Sequence, residues 1–275
     1  MKPASKELTA GMVQESAPVL LHKKVARDHY RMRLKSPAAA RRAQAGQFLH
    51  VRCREAESQY YPLLRRPLSL LDVDAAKGTL DFVYKVMGLG TAVLAEIPAG
   101  ARVDFIGPLG RPFPLPGKGR QAVLIGGGVG IPPLVFLAKW LKQKGIRSTA
   151  YLGARTKDWV ICRDDFKKLG VPVRAATDDG SLGYRGSVVE LAASSDRDAE
   201  FYICGPTGMM AAAAELARRR KTPAHVSLEE RMGCAMGCCM GCVVEVNTEP
   251  AGSHARFQRV CTEGPVFLAE QIIWK

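Results

Sequence analysis

The sequence predicts a β barrel followed by an α/β domain with a parallel sheet, and then a small C-terminal lobe. Three observations lead to this fold class. Short β-rich segments fill residues 12–117, units of strand, turn and helix follow over residues 118–222, and residues 223–275 are rich in Cys and Gly without a regular apolar period. A chain of 275 residues has room for roughly two domains and a smaller appendage.

The first region has the pattern of a small antiparallel barrel. Its segments alternate polar and apolar residues or are rich in β-branched and aromatic residues, which suits strands with one face in a core. Short strands separated by Gly and Pro are typical of such barrels. The clearest segments are Phe48–Cys53, Leu68–Leu71, Thr79–Val86 and Arg102–Ile106.

The second region alternates strands with helices. The segment Ala122–Ile125 reads as a strand, Leu134–Leu141 as a helix and Ser148–Leu152 as the next strand, which opens a βαβ unit. The pattern recurs where Phe201–Cys204 is followed by a helix over Met209–Arg220. A parallel sheet covered by helices accommodates such units.

A glycine-rich loop lies between the first strand and helix of the second region, at Gly126, Gly127, Gly128 and Gly130. Bare backbone there lets a pyrophosphate approach the N–H groups of the helix N-terminus. The loop is not the standard G-x-G-x-x-G fingerprint, so a flexible turn is the alternative. Asp178, in an Asp-Asp-Gly turn after a later strand, is either a surface turn residue or part of the rim of the same cleft.

Two segments of the first region have residue types that suit a phosphate or an aromatic ring. Pro67 biases Arg66 toward extended backbone, so that Arg66 can reach a phosphate while Ser69 meets a ring. Gly90 and Thr91 follow a strand and offer backbone donors and a hydroxyl, as in a phosphate nest.

One cysteine of the second region ends a strand at the carboxyl edge of the predicted sheet. Cys204 is followed by Gly205 and Pro206, at the edge where ligands bind in parallel sheets. A buried cysteine is commonly an inert core residue, so both a core role and a cofactor contact remain open for Cys204.

The most specific pattern is a group of cysteines in the last region. Cys234, Cys239 and Cys242 have the spacing C-x4-C-x2-C, and Cys261 follows nineteen residues later. This is the spacing that holds a plant-type 2Fe-2S cluster. Cys238 is interpreted as a non-ligand that could replace Cys239.

Three other interpretations of these cysteines remain open. Cys234, Cys238 and Cys242 would share one helix face, but three glycines within nine residues disfavour a helix. A zinc site or a disulfide pair would use the same side chains.

Composition narrows the class of protein. A hydrophobic content of 47% is ordinary for a globular chain, and no apolar run approaches the roughly 20 residues that span a bilayer. The N-terminus does not resemble a secretory signal, and eight cysteines with four clustered suit a metal cofactor in a reducing cytoplasm. The net charge of +14 is spread in short groups without a basic stripe, so neither nucleic acid nor a membrane is expected as a partner.

The order of these motifs resembles the ferredoxin-NAD(P) reductase superfamily. Within that superfamily, the residues before Cys234 and the ending from Cys261 to Phe267 resemble the electron-transfer subunit of B-type dihydroorotate dehydrogenase. The resemblance extends from about Val13 to the C-terminus. It implies an FAD-binding barrel, an NAD-binding α/β domain and a 2Fe-2S lobe.

The resemblance also implies a role for each motif. Cys204 would lie beside the nicotinamide and flavin rings, as the catalytic position. Cys234, Cys239, Cys242 and Cys261 would ligate the cluster. The implied contacts to FAD are Arg66, Pro67, Leu68, Ser69, Val83, Tyr84, Lys85, Gly90 and Thr91. The implied contacts to NAD are Gly126, Gly127, Gly128, Gly130, Asp178, Gly205 and Pro206.

The electron count explains why three cofactors belong together. A nicotinamide carries two electrons as hydride and an iron–sulfur cluster takes one, so a flavin must stand between them. The resemblance implies a partner, the FMN-containing catalytic subunit that oxidises dihydroorotate to orotate, in a heterotetramer of two copies of each. Met232, Met236 and Met240 would either face that partner or pack around the cluster.

Two alternatives from other classes stay open. The small subunit of a ferredoxin-NADP transhydrogenase or of a sulfide dehydrogenase would carry the same FAD and 2Fe-2S motifs. A zinc-dependent interaction module would carry zinc and neither iron nor flavin.

Overall fold

The computed structural model describes residues 11–53, 61–247 and 256–274. Its first part is a closed antiparallel barrel with the strand order β1-β2-β5-β4-β3-β6. The barrel strands are β1 (Val13–Ala26), β2 (His29–Lys35), β3 (Phe48–Val51), β4 (Arg66–Asp74), β5 (Thr79–Lys85) and β6 (Arg102–Leu109), with the short helices α1 (Pro37–Ala40) and α2 (Leu89–Ala95) between them.

The second part is a seven-stranded sheet with the order β10-β9-β8-β7-β11-β12-β15. All its pairs are parallel except the one between β12 and β15. Its strands are β7 (Gln121–Gly127), β8 (Ser148–Ala154), β9 (Val173–Thr177), β10 (Tyr184–Arg185), β11 (Ala199–Cys204), β12 (Ala224–Ser227) and β15 (Val266–Leu268). Its helices are α3 (Ile131–Gln143), α4 (Arg163–Lys168), α5 (Val188–Ala192) and α6 (Thr207–Arg220).

The third part is a small lobe attached to this sheet. It has little regular structure beyond the hairpin of β13 (Val243–Glu245) and β14 (Phe257–Arg259). Both β12 and β15 lie within the predicted lobe 223–275, yet they extend the sheet of the second part. The observed architecture agrees with the predicted fold class, while the residue boundaries between the parts stay predictions.

Two clusters of buried apolar side chains hold the parts together. Successive side chains of a strand point to opposite faces of the sheet, so neighbouring residues of the central strands belong to different clusters. Leu124 of β7 joins the cluster that fills the barrel and the contact with α3. Its neighbour Ile125 points to the other face and joins the cluster under α6, which also contains Cys242 and Cys261. In the described part of the chain, no helix is long and apolar enough to cross a membrane.

Candidate functional site

The glycine loop lies at the point where the strand order of the sheet reverses. From β7 the chain proceeds to β8 and β9 on one side, and returns to β11 and β12 on the other. Ligands of parallel sheets bind in the crevice outside the carboxyl ends of the strands at such a switch point. The structure therefore brings Gly126 and Cys204 together, because they are paired at the ends of β7 and β11.

The backbones of the two strand ends are packed directly against each other. A Cβ atom on Gly130 would lie 2.4 Å from the carbonyl carbon of Cys204, and one on Gly205 would lie 3.0 Å from the amide nitrogen of Gly127. No side chain fits at Gly130 without moving backbone. Gly128, with a φ of +54°, has no atom within 4 Å of such a Cβ and forms the open part of the loop.

Cys204 is completely buried at the end of β11. Burial raises the pKa of its thiol, the charge of Glu229 raises it further, and a hydrogen bond with Ser227 only partly offsets this. The side chain is therefore a neutral thiol, which suits a packing or contact role better than that of a thiolate nucleophile.

Sequence reasoning assigned no role to Ser227 and Glu229, although they follow the next parallel strand. Ser227 ends β12, which pairs with β11 so that Ser227 lies opposite Cys204. Glu229 is exposed at the surface, and desolvation by the neighbouring protein atoms raises the pKa of its carboxyl group. The carboxyl end of a third neighbouring strand was the signal that could have identified them.

Asp178 lies at the same edge of the sheet but farther from the loop. It follows β9, which is separated from β7 by β8. Its side chain is exposed, and its amide donates a hydrogen bond of 3.2 Å to the carbonyl oxygen of Ala154 at the end of β8. Contact of Asp178 with a dinucleotide stays a prediction.

The barrel brings together two of the segments that were predicted to bind FAD. A Cβ atom on Gly90 would lie only 2.6 Å from a terminal nitrogen of Arg66, so the absence of a side chain makes room for the guanidinium. Arg66 Nη1 donates a hydrogen bond of 2.6 Å to the Leu64 carbonyl oxygen. Thr91 caps helix α2, because its hydroxyl accepts from the Met87 amide at 2.9 Å and donates to the Gly88 carbonyl at 3.0 Å.

The rest of the Arg66 segment lies along β4 with alternating orientation. Leu68 is buried with the barrel core, while Pro67 and Ser69 are half-buried on the opposite face. On the neighbouring strand β3, Phe48 pairs with Ser69 and His50 pairs with Pro67, so these residues share that outer face.

Three predicted FAD contacts lie on β5. Val83 is buried, and the hydroxyl of the buried Tyr84 lies 2.8 Å from Nε2 of His22. Lys85 Nζ lies 4.3 Å from the centroid of the Trp159 ring, on the nucleotide-domain side. Contact of Val83, Tyr84 and Lys85 with FAD stays a prediction.

The loop from Cys234 to Cys242 is not helical. Ala235, Gly237 and Met240 all have φ between +57° and +84°, which is left-handed backbone. Two of them are not glycine, and such outliers concentrate at functional sites. This geometry rules out the shared helix face that the recurrence of Cys234, Cys238 and Cys242 offered as an alternative.

The loop surrounds sulfur atoms with backbone donors and with glycines. The amides of Met236 and Cys239 each donate to Cys234 Sγ at 3.4 Å. Burial raises the pKa of the Cys234 thiol, but these backbone donors outweigh that effect and lower it to about 7. Cβ atoms on Gly233 and Gly241 would lie 3.3 Å and 3.5 Å from Cys239 Sγ.

The four predicted ligands form two pairs. The Cys239 side chain interacts with Cys234, and Cys242 interacts with Cys261. Burial and the neighbouring Cys242 together raise the pKa of the Cys261 thiol to about 12. Cys238 Sγ instead faces the Met236 carbonyl oxygen at 4.0 Å. No three His, Cys, Asp or Glu side chains in the described residues gather as they would around one ion. Four thiols grouped in this way suit the four-cysteine ligand set of a 2Fe-2S cluster.

Arg259 in β14 stabilises the cluster loop by a hydrogen bond, a role that no sequence pattern indicated. Its Nη1 donates to the Gly237 carbonyl oxygen at 2.8 Å, while its Nε donates to Glu263 at 2.9 Å. Of the three methionines near the cysteines, Met232 is buried, whereas Met236 and Met240 are 46% and 50% exposed. The exposed pair leaves an apolar surface beside the cysteines.

Models of three protein families match successive parts of the chain. Residues 16–113 match the oxidoreductase FAD-binding domain, residues 124–215 match the oxidoreductase NAD-binding domain, and residues 229–273 match the iron–sulfur cluster binding domain of dihydroorotate dehydrogenase B. The chain therefore contains FAD-binding, NAD-binding and iron–sulfur cluster binding domains.

Curated relatives match along nearly the whole chain. The electron transfer subunit of dihydroorotate dehydrogenase B (NAD(+)) from Desulforamulus reducens is 42% identical, covering 94% of this chain and 98% of the relative. The subunit of the same name from Shouchella clausii is 40% identical, covering 90% and 94%.

A solved structure agrees in fold. The chain is similar to the NADH-dependent reduced ferredoxin-NADP oxidoreductase, with a TM-score of 0.82 and 31% identity over 94% of this chain and 90% of that one. The identity with the curated relatives is higher. The chain belongs to the family of dihydroorotate dehydrogenase B electron transfer subunits.

Proposed function

We propose that this chain passes electrons from a separate FMN-containing catalytic subunit, which oxidises dihydroorotate to orotate, to NAD. FAD supplies two-electron exchange with the nicotinamide and one-electron exchange with the 2Fe-2S cluster. The chain's own residues bind these groups, orient them and exclude water. Its eight cysteines form no disulfide, which suits the reducing cytoplasm expected for such a protein.

The observation that carries this proposal is the way one buried cluster connects the three binding segments. Phe48 pairs with Ser69 on the strand proposed to bind FAD. Phe48 also lies in the same apolar cluster as Ile125, next to the glycine loop, and Cys261. A continuous packed region between the segments supports a fixed arrangement of three cofactors, which electron transfer requires.

Each binding segment has a role within this proposal. Arg66 holds the FAD pyrophosphate in the space left by Gly90, and Pro67 to Ser69 line the flavin. The glycine loop and the Gly205-Pro206 turn bind the nicotinamide dinucleotide, beside the neutral thiol of Cys204. Cys234, Cys239, Cys242 and Cys261 would hold the cluster.

The partner is tested by co-expression. We expect the chain to co-purify with an FMN-containing subunit, two copies of each, and the complex to reduce NAD with dihydroorotate. We expect the isolated chain not to reduce NAD with dihydroorotate, because the catalytic subunit carries out that oxidation. A bound partner without FMN, or a complex inert toward dihydroorotate, would overturn the named function and leave the reductase fold intact.

A second candidate rests on the solved structure of the ferredoxin-NADP oxidoreductase. Its 31% identity over 94% of this chain favours a small FAD and 2Fe-2S subunit of a transhydrogenase as the alternative. That function predicts a larger iron–sulfur flavoprotein as the co-purified partner, and NADP-linked activity in place of dihydroorotate oxidation.

A further inference from the structure

A cleft of about 510 Å³ lies between the barrel and the lobe that carries the four predicted cluster ligands. The barrel side of the cleft is formed by the loop between α1 and β3 and by the end of β6. The lobe side includes Cys261 and the exposed Met236. A molecule bound in this cleft would therefore lie beside one of the predicted ligands.

Close packing fixes the two sides of the cleft relative to each other. A Cβ atom on Gly110 would collide with the ring of Pro265, so the end of β6 lies directly against the lobe. The Arg111 amide donates a hydrogen bond of 2.6 Å to the Gly264 carbonyl oxygen. Gln47, from the loop before β3, donates one of 2.8 Å from Nε2 to the Gly110 carbonyl oxygen. The backbone that carries the charged side chains of the cleft is therefore held in place.

The charges that line the cleft are not balanced. Arg42 and Arg111 are exposed and line it, whereas no Asp or Glu does. Neither guanidinium has a hydrogen bond or an ion pair with the described residues. An arginine side chain can donate two parallel hydrogen bonds to a carboxylate, so each is available to an anion from outside the chain.

A second cleft, also of about 510 Å³, has carboxylates of its own. It lies between the barrel and the helices α3 and α4. Arg31 Nη1 lies 2.8 Å from Asp165 Oδ1 there, and Lys139 Nζ lies 2.6 Å from Asp72 Oδ1. The chain supplies carboxylates in that cleft and supplies none in the cleft beside Cys261.

The cleft beside Cys261 suits an acidic side chain on the surface of another protein. Met12, Leu109 and Met236 give it apolar walls, and both Met and Arg are enriched in protein interfaces. Residues 1–10 contain two lysines and one glutamate, and a second copy of this chain carries a net charge of +14. Either of these would bring positive charge to the two arginines, which an acidic partner would not.

We propose that Arg42 and Arg111 bind carboxylates of the FMN-containing catalytic subunit, so that the cleft is part of the docking surface for that partner. Met236 packs against an apolar part of the partner in the same contact. Docking at this place brings the partner next to Cys261, where electrons enter the cluster. This inference rests on the proposed function.

The first test measures binding of the catalytic subunit to the full chain loaded with FAD and cluster. Arg42→Gln/Arg111→Gln removes both charges from the cleft. Arg41→Gln/Lys118→Gln is the matched control, because it removes the same charge from exposed positions outside the cleft. Surface plasmon resonance at low and at high ionic strength gives the dissociation constant and the association rate.

We expect the cleft variant to bind about three- to thirtyfold more weakly at low ionic strength, the range for two exposed ion pairs. Most of this loss is slower association, and it shrinks at high ionic strength because salt screens exposed charges. The control stays within about twofold of wild type. Flavin and iron content, and reduction of the flavin by NADH, keep their wild-type values in both variants.

The second test identifies the group that the partner contributes. Arg111→Lys puts an amine in the cleft, which a carbodiimide couples to a carboxylate in direct contact with it. Arg41→Lys is the control outside the cleft. We expect mass spectrometry of the cross-linked complex to find position 111 joined to an Asp or Glu of the catalytic subunit, and position 41 not joined.

Three outcomes overturn the inference while leaving the proposed function intact. Wild-type affinity in the cleft variant would remove the two arginines from the docking surface. Equal losses in the cleft variant and its control would show that only the net charge steers the partner. If inorganic phosphate stabilised wild type and the control but not the cleft variant, with partner affinity unchanged, the cleft would be a site for a free anion. A wild-type chain that binds no FMN-containing subunit would instead refute the proposed function, and this inference with it.

Discussion

The nucleotide cleft and the cluster loop are built in opposite ways. At the cleft, regular strands end side by side, and glycines let their backbones touch. A Cβ atom on Gly130 would lie only 2.4 Å from the carbonyl carbon of Cys204, which leaves no room for a side chain. The cluster loop has no regular structure between Cys234 and Cys242, and its turns fall at left-handed residues. The first site is shaped by the sheet, whereas the second depends on the bonds that its thiols make to metal.

The largest expected effect is in the cluster loop. Cys242→Ser removes a predicted ligand from the buried pair with Cys261, so we expect loss of iron and of the paramagnetic signal of the reduced cluster. FAD binding persists, because most of the apolar core of the barrel belongs to the cluster of buried side chains that does not contain Cys242. Iron analysis and electron paramagnetic resonance measure the result.

Cys238→Ser is the matched control, since Cys238 faces the Met236 carbonyl oxygen and not another predicted ligand. We expect it to keep full iron content. If Cys238→Ser lost its iron while Cys239→Ser kept it, Cys238 and not Cys239 would be the second ligand of the cluster.

The second effect is confined to the cleft. A Cβ at Gly130 meets backbone, so Gly130→Ala must displace the loop, and we expect NAD binding to weaken on the order of a hundredfold. FAD absorbance and iron content stay at wild-type values. The NADH titration of flavin absorbance measures the change.

Gly145→Ala is the control for backbone strain in the same domain. Gly145 has a φ of +69°, but its Cβ would have no atom within 4 Å. We expect a stability loss of about 1–2 kcal/mol without a change in NAD affinity. Equal NAD affinities of the two variants would show that the close packing at Gly130 does not shape the site.

The third effect is a pH dependence at the boundary between barrel and cluster lobe. Below pH 6.5 the unfolded chain binds a proton that His50 takes up in the folded chain only near pH 4. The free energy of unfolding therefore falls as the pH drops through this interval, by about 3 kcal/mol at most. Denaturant unfolding of wild type and His50→Phe at pH 7 and at about pH 4 isolates this contribution. Parallel pH profiles for the two proteins would contradict it.

The fourth effect is on FAD binding. Arg66→Gln removes a charge-assisted contact, so we expect FAD affinity to fall roughly tenfold to a hundredfold. Gly90→Ala is expected to weaken binding in the same direction, because its Cβ would press on the guanidinium. Equilibrium binding of FAD to the apoprotein measures both, and Arg41→Gln at an exposed site serves as control. If Arg66→Gln bound FAD with wild-type affinity, Arg66 would not be part of the FAD site.

The smallest effect concerns Lys85. Since Lys85 lies over the Trp159 ring, Lys85→Met should cost about 0.5–1 kcal/mol of stability from a lost cation–π contact. FAD affinity should stay within about twofold of wild type. A larger loss of FAD affinity would show that the Lys85 side chain contacts FAD.

Short-range patterns determined the parts of the site that the sequence could predict. Cysteine spacing pointed to the cluster loop, and glycines between a strand and a helix pointed to the nucleotide loop, because both depend on neighbours within about ten residues. The directions of Tyr84 and Lys85 could not be predicted in this way, since His22 and Trp159 meet them only through the barrel and the domain contact.

Tertiary placement also explains what sequence reasoning missed. The three-residue strand β15 gives too short a pattern to recognise, and its antiparallel pairing with β12 joins the cluster lobe to the sheet. Glu229 and His50 have ordinary local sequence, and only strand register places one beside Cys204 and the other across from Pro67. Their partners are distant in sequence, so the position of Glu229 after a parallel strand could mark it as a candidate but could not show its contact with Cys204.

The central claim is that a bound flavin connects a nicotinamide site to a cluster held by four thiolates. Anaerobic titration of the purified chain with NADH, followed by visible absorption and electron paramagnetic resonance, tests it most directly. We predict loss of the oxidised flavin absorbance together with the signal of a reduced 2Fe-2S cluster in wild type, and flavin bleaching without that signal in Cys242→Ser. A colourless protein that contains zinc and neither flavin nor iron would contradict the account.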